Sequence, residues 1–171
     1  MSITQDSFET YYKYNKINEK VPVIFIHGIG LNHGIWDDQI NYFKNHNTIV
    51  YDLIGHGKTP FKKKSLTMKD FTKQLLKLVD GLNINKFHLV GFSLGSLIAR
   101  DFASSYSNRL SSLIIFGTVY KRSEDEKRQI INRYEMMKLK NPLRKKERYI
   151  DGLQKSFLRK IHQSMKKYTQ C

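Results

Sequence analysis

Cysteine is almost absent from this sequence: the single one, Cys171, is the last residue. An internal disulfide is therefore excluded, and nothing near Cys171 indicates a metal site or a thiol nucleophile. The sequence also contains no phosphate-binding P-loop and no dinucleotide fingerprint, so we expect neither a metal nor a cofactor. Three prolines and an aromatic content of 12% fit a globular chain rather than a disordered one.

Long apolar runs are missing as well. None reaches the roughly 18 residues of a transmembrane helix, so no such helix is predicted. The segment from Met1 to Glu9 is polar and lacks the basic start and apolar stretch of a signal peptide. We therefore expect a cytoplasmic protein that has no membrane partner.

Acidic residues are few, and the net charge is +15. From Lys121 to Cys171 there are 16 Lys and Arg against 6 Asp and Glu, and 16 − 6 leaves +10 in this stretch. Such an excess can bind nucleic acid or an anionic surface. No interleaving of aromatic and basic residues accompanies it, so we interpret it as a solvated lysine-rich face and expect no nucleic-acid partner.

What the sequence does contain is an alternation of apolar strands and amphipathic helices. This order predicts an α/β protein with a mostly parallel sheet and flanking helices, because βαβ crossovers join parallel strands. Thr67 and Asp70 form a capping box at the start of one helix, and Gly81 ends it. The predicted strands are Tyr11–Asn15 (an edge strand), Val21–Ile26, Thr48–Leu53, Phe87–Phe92 and Leu110–Phe116; the predicted helices are Trp36–Phe43, Thr67–Gly81 and Leu94–Tyr106.

The pattern changes after Gly117, and no further strand is predicted. A capping box at Ser123 starts a charged helix with Ile130, Ile131, Tyr134 and Met137 on its apolar side, which Asn141-Pro142 interrupts. A basic helical stretch over Leu143 to Lys167 follows. We therefore divide the chain into a core, 1–118, and a basic helical segment, 119–171.

The strongest functional signal is Gly91-Phe92-Ser93-Leu94-Gly95, which matches G-x-S-x-G between a buried strand and a helix. In this context the serine occupies a strained turn that exposes its hydroxyl, and small residues two before and two after it prevent clashes. The helix start places positive dipole near a developing oxyanion. Ser93 is thus predicted to be a nucleophile.

The second signal is His27-Gly28-Ile29-Gly30, directly after the first buried strand. With Ser93, it resembles the α/β-hydrolase family, in which an H-G-x-G loop follows the third strand. The resemblance implies an oxyanion hole formed by the backbone N–H groups of Ile29 and Leu94. It also implies that His27 braces the loop rather than acting as a catalytic base.

The third signal is Asp52-Leu53-Ile54-Gly55-His56-Gly57-Lys58-Thr59, which resembles that family's D-x-x-G-x-G-x-S loop. Asp52 and His56 look like an acid–base pair, but the resemblance implies that they shape the turn. Asn32, His33 and Trp36 lie beside the oxyanion loop and are candidates to shape the site. For Trp36 the alternative is a place in the core, the more frequent fate of a lone tryptophan on a helix face.

The resemblance extends from Val21 to Thr118, and the loop from Gly28 to Asp38 is most similar to the enol-lactonase, haloperoxidase-like and small-esterase branch. It implies hydrolysis of a small carboxylic ester or lactone through an acyl-enzyme on Ser93. In the family the triad acid and then the histidine follow Ser93 on later strands. Asp151 and His162 have the right order but lie in a basic helical stretch, so we expect no complete triad and an incomplete helical cap.

The final residues, from Arg159 to Cys171, do not resemble cap sequence, so we expect a truncated or frameshifted gene product with weak or no activity. Leu110–Phe116 would then be an exposed sheet edge through which the chain could oligomerise. Two alternatives of other classes remain: a non-catalytic remnant that only binds ligands, and a basic binder of nucleic acid or membrane surfaces. A steep salt dependence of binding would favour the last.

Overall fold

A computed structural model describes residues 2–62, 66–118, 123–125, 128, 129 and 132 of the chain. The chain divides into two compact units, Met1–Val119 and Tyr120–Cys171. The first unit contains the sheet and the sequence motifs. In the described part of the chain, no helix is both long and apolar enough to cross a membrane.

Six strands form one sheet in the order β1-β2-β4-β3-β5-β6. β1 and β2 pair antiparallel, and so do β2 and β4, whereas β3 pairs parallel with β4 and β5, and β5 pairs parallel with β6. The predicted α/β class with a mostly parallel sheet is confirmed. The strands are β1 (Ser2–Ile3), β2 (Tyr11–Asn15), β3 (Val23–Ile26), β4 (Thr48–Tyr51), β5 (Phe87–Phe92) and β6 (Leu110–Phe116).

Among residues 2–62 and 66–118, three α-helices flank the sheet, and a 3₁₀ turn over His33–Trp36 precedes the first of them. Asp70 caps the second helix as predicted, since its carboxylate accepts the Thr67 backbone N–H at 2.8 Å. The helix predicted over Trp36–Phe43 is one residue shorter at each end, because Trp36 closes the 3₁₀ turn and Phe43 is the C-terminal cap. The helices are α1 (Asp37–Tyr42), α2 (Met68–Gly81) and α3 (Leu94–Tyr106).

Side chains alternate across the central strands and fill a core on each face. Ile24 and Ile26 of β3 belong to the cluster that α2 and α3 cover, whereas Phe25 packs against Trp36 with a ring-centroid distance of 5.0 Å. All three side chains are at most 2% exposed. β3 is therefore buried on both faces, which explains why its sequence is a continuous apolar run.

Two strand boundaries differ from the sequence prediction. β3 begins at Val23 rather than Val21, and β4 ends at Tyr51 rather than Leu53. The N-terminal strand β1 was not predicted, because two exposed residues carry no periodic pattern.

Only a few residues of the second unit are described. Glu124, Asp125, Arg128, Gln129 and Asn132 are helical, in line with the predicted helix that starts at Ser123. The predicted apolar stripe of that helix, the Asn141-Pro142 break, the stretch from Leu143 to Lys167, and the residues Asp151 and His162 lie outside the described residues.

Among the strands of the described residues, β6 lies at one end of the sheet. Leu113 and Ile114 on this strand are 38% and 54% exposed. Long apolar edge strands favour pairing with another chain. Self-association through β6 stays a prediction, and a charged substitution on this strand can test it.

We expect Ile114→Lys to reduce self-association of the purified chain, because a lysine on an edge strand opposes edge-to-edge pairing. Light scattering after size-exclusion chromatography measures the effect. Ile17→Lys is the matched control, since Ile17 is 49% exposed and lies outside the strands. An equal effect of both substitutions would attribute the change to net charge alone and contradict pairing through β6.

Candidate active site

Ser93 occupies the turn that joins β5 to α3, with φ 53° and ψ −114°. A non-glycine residue in this backbone region costs about 1–3 kcal/mol, so the surrounding structure must hold it there. The Ser93 N–H donates to the Phe116 carbonyl at 3.1 Å, and its own carbonyl accepts from the Ser96 N–H at 3.0 Å and the Ser96 hydroxyl at 2.6 Å. The turn is thus tied to β6 on one side and to α3 on the other.

The backbone near this turn leaves no space for side chains at two of the motif glycines. A Cβ on Gly91 would lie 2.4 Å from the Gly95 carbonyl oxygen, and a Cβ on Gly95 would lie 2.4 Å from the Ile26 carbonyl oxygen. Both obstructions are backbone atoms of packed elements, which cannot move aside as a flexible side chain would. The two glycines therefore allow α3 to start directly over the ends of β5 and β3.

The loop after β3 reaches the same place. A Cβ on Gly28 would lie 3.2 Å from the Ser93 Cβ, so Gly28 and Ser93 are direct neighbours. A turn follows, closed by a bond from the Leu31 N–H to the Gly28 carbonyl at 3.3 Å, with Gly30 at φ 72°. Ile29, between the two glycines, is 68% exposed.

Leu94 is the first residue of α3. The first N–H groups of a helix have no acceptor within the helix, so the Leu94 N–H is available at the point where the helix begins. The two predicted oxyanion residues therefore both border Ser93: Leu94 is the next residue in the chain, and Ile29 follows Gly28 in the loop after β3.

Phe92 lies between two glycines. Its Cδ1 and Cε1 atoms are 3.2 Å from a Cβ position on Gly28, and its Cε2 atom is 2.7 Å from a Cβ position on Gly117. Gly117 has φ 61°, and the ring stacks on Phe116 at a centroid distance of 5.6 Å. Gly117 was not predicted to contribute to the site, although a glycine directly after an apolar strand is a recognisable signal of a close approach.

His27 is fully buried and bridges the loops after β3 and β4. Its Nδ1–H donates to the Gly28 carbonyl at 2.8 Å, while its Nε2 accepts the Leu53 N–H at 3.0 Å. Burial lowers the pKa of His27 to about 4, so the ring is neutral near pH 7. Both ring nitrogens are engaged by backbone groups, which fits a bracing role better than proton transfer.

Asp52 is also fully buried, at the end of β4. Its Oδ1 accepts the backbone N–H and the ring Nδ1–H of His33, both at 2.8 Å, and its Oδ2 accepts the Lys58 N–H at 2.8 Å. His56 Nδ1 lies 3.0 Å from the Ile54 carbonyl oxygen. Asp52 and His56 look like an acid–base pair in the sequence, whereas the hydrogen bond between Asp52 and His33 was not predicted.

The other two candidates beside the loop lie in different environments. The Asn32 side chain is exposed and accepts the Gly34 N–H at 2.9 Å, which starts the 3₁₀ turn. Trp36 is 1% exposed and packs between Phe25 and Phe116. The structure thus places Trp36 in the core.

Comparison with known proteins identifies the family to which this chain belongs. The sequence pattern of the alpha/beta hydrolase fold matches residues 21–171, and the chain belongs to that family. A curated relative from Acinetobacter baylyi, an (E)-2-((N-methylformamido)methylene)succinate hydrolase, is 29% identical over 73% of this chain. A 3-oxoadipate enol-lactonase from the same organism is 28% identical over 58% of this chain.

Among solved structures, a protein described in work on carboxylesterases of the archaeon Nitrososphaera gargenis superposes with a TM-score of 0.75 at 26% identity. The alignment covers 87% of this chain and 56% of that one. The matched regions span 48% and 37% of the two curated relatives. The chain therefore corresponds to about half or less of these proteins.

We expect Gly95→Ala to destabilise the fold by about 3 kcal/mol or more, at the upper end of overpacking costs, because its Cβ would meet the β3 backbone. Chemical denaturation measures the free energy of unfolding. Gly81→Ala is the control: nothing lies within 4 Å of its Cβ position, so it should be neutral or stabilising by up to about 1 kcal/mol. A Gly95→Ala protein as stable as the parent would contradict the close approach.

The pKa of His27 predicts loss of stability in mild acid. The unfolded chain binds the proton near pH 6.5 and the folded chain only near pH 4, so stability falls as the pH drops through this window. The loss amounts to about 3 kcal/mol once the pH is below both values. His27→Gln should flatten this pH dependence of the unfolding free energy, whereas the exposed His46→Gln should keep it. Equal slopes in the parent and His27→Gln would refute the assignment.

Proposed function

We propose that this chain provides the nucleophile and oxyanion hole of a serine hydrolase that acts on small carboxylic esters or lactones. The observation that carries the proposal is the meeting of two motifs at one point: Ser93, in a strained turn at the start of α3, lies directly against Gly28 of the loop after β3. The hydrolase and lactonase names of the relatives support the same class of reaction.

In the proposed reaction, the Ser93 hydroxyl oxygen attacks the substrate carbonyl carbon. The carbonyl oxygen becomes an oxyanion that accepts hydrogen bonds from the backbone N–H groups of Ile29 and Leu94. The alcohol then departs, and the acyl group remains bonded to the Ser93 oxygen as an acyl-enzyme. Because both donors belong to the backbone, the apolar side chains of Ile29 and Leu94 do not oppose this role. Water then releases the acid.

The reaction also needs a base for the Ser93 proton. Within the described ranges, no histidine forms a hydrogen bond with the Ser93 hydroxyl. We propose weak activity for this chain, at the level of roughly 10³–10⁴-fold over water that an oxyanion hole and binding supply without a complete triad. A cytoplasmic location and the absence of nucleic-acid or membrane partners stay predictions.

The test combines a fluorophosphonate label with hydrolysis of p-nitrophenyl acetate and butyrate by the full chain. We expect slow labelling of the parent and none of Ser93→Ala, because the oxyanion hole stabilises the developing charge on the phosphonyl oxygen even without a base for Ser93. Ser105→Ala is the matched control, an exposed serine on the same helix. Labelling and turnover that survive Ser93→Ala unchanged would overturn the assignment of the nucleophile.

A further variant tests whether activity depends on a base within this chain. If the parent turns over faster than the weak level proposed, His162→Ala tests whether the one histidine that follows Ser93 in the sequence acts as the base. Saturable binding of an ester analogue without any Ser93-dependent labelling would instead favour the alternative of a binding module.

A further inference from the structure

The buried carboxylate of Asp52 joins two loops that are far apart in sequence. One oxygen accepts both N–H donors of His33, which lies in the segment after β3, and the other accepts the Lys58 N–H from the turn after β4. Because a carboxylate only accepts, the His33 proton must be on Nδ1. Charge-assisted bonds of this kind are about twice as strong as neutral ones.

A second attachment joins the same two loops a few residues away. The His27 ring holds the Gly28 carbonyl with one nitrogen and the Leu53 N–H with the other. His27 and His33 therefore attach the segment between them to neighbouring residues, Leu53 and Asp52, at the end of β4. The segment 28–32 crosses from one attachment to the other.

Leu31 of this segment is 6% exposed and Gly28 lies against Ser93, but the tip between them has little else to fix it. Ile29 is 68% exposed, and the Leu31-to-Gly28 hydrogen bond of the turn is long, at 3.3 Å. The His33 ring is itself held in place, since the Tyr11 ring packs against it at a centroid distance of 5.0 Å and the Lys58 ammonium lies over that tyrosine. The position of the Ile29 N–H thus depends on where the two histidines hold the ends of the segment.

We propose that His33 is a positioning residue for the oxyanion hole: its Nδ1–H bond to Asp52 fixes the segment that presents the Ile29 N–H to Ser93. The inference rests on the proposed function, in which that N–H stabilises the oxyanion. Oxyanion donors act only within about 2.7–3.1 Å of the oxygen, so a loosened segment loses transition-state stabilisation more than it loses binding.

Two substitutions at His33 separate the hydrogen bond from the bulk of the ring. His33→Asn places an N–H donor near the position of Nδ1, whereas His33→Leu fills similar space without a donor. The exposed His46→Leu is the control for replacing a histidine elsewhere. Circular dichroism and thermal melting first establish that each variant is folded.

The first measurement is the concentration dependence of Ser93 labelling by a fluorophosphonate. For His33→Leu we expect the maximal rate to fall roughly tenfold or more, below the 10²–10³ lost with a whole oxyanion donor, and the half-saturating concentration to stay within about twofold. His33→Asn should recover most of the rate, and His46→Leu should match the parent. Equal losses in His33→Leu and His33→Asn, or no loss in either, would overturn the positioning role.

The second measurement does not need Ser93 to react. Hydrogen–deuterium exchange of the peptide that contains residues 28–32 should be faster in His33→Leu than in the parent and in His33→Asn. If the parent is not labelled at all, the proposed function fails, and exchange alone then decides whether His33 fixes the segment. Exchange that is unchanged in His33→Leu would overturn the inference even where labelling succeeds.

Discussion

Backbone passes closer to backbone at the end of β5 than any side chain would permit. The carbonyl oxygens of Gly95 and Ile26 lie 2.4 Å from the Cβ positions of Gly91 and Gly95. This contact lets α3 begin immediately above the sheet, and the short connection in turn forces Ser93 into its strained conformation. The loop after β3 fits beside Ser93 only because Gly28 also lacks a side chain. Nucleophile, helix start and oxyanion loop thus depend on one steric condition.

A buried polar network stabilises the turn after β4, which lies beside the loop that carries Gly28 and Ile29. The Gln74 amide of α2 donates to the Asp52 carbonyl at 3.0 Å and to the Thr10 hydroxyl at 3.1 Å, and its oxygen accepts the Ile54 N–H at 3.2 Å. Thr59 adds a bond from its hydroxyl to the same Asp52 carbonyl at 2.8 Å. Buried polar groups are costly unless they are paired, so this network fixes the turn after β4 in one arrangement.

Much of this architecture could be predicted from local patterns. The strands β5 and β6 and the helix over Leu94–Tyr106 have the bounds the sequence predicted. Both strands are short, continuous apolar runs, and the helix has an amphipathic period, so each element is readable from its local pattern. The capping box at Thr67 was equally readable, since its partners lie three residues apart.

The rest depends on contacts between distant segments, which local patterns do not encode. Asp52 was considered together with His56 because the two are close in sequence. It instead bonds His33, which is 19 residues away in the connection between β3 and β4. Gly117 contacts the Phe92 ring only because β6 aligns beside β5. Such partners become visible once strand order and register are known.

The most direct test of this account is a crystal structure of the chain after reaction with a small methylphosphonyl fluoride. We predict phosphorus bonded to the Ser93 hydroxyl oxygen, with one phosphonyl oxygen at about 2.7–3.1 Å from the backbone nitrogens of both Ile29 and Leu94. A phosphonyl oxygen that lies away from both nitrogens, or a modification on another residue, would contradict it.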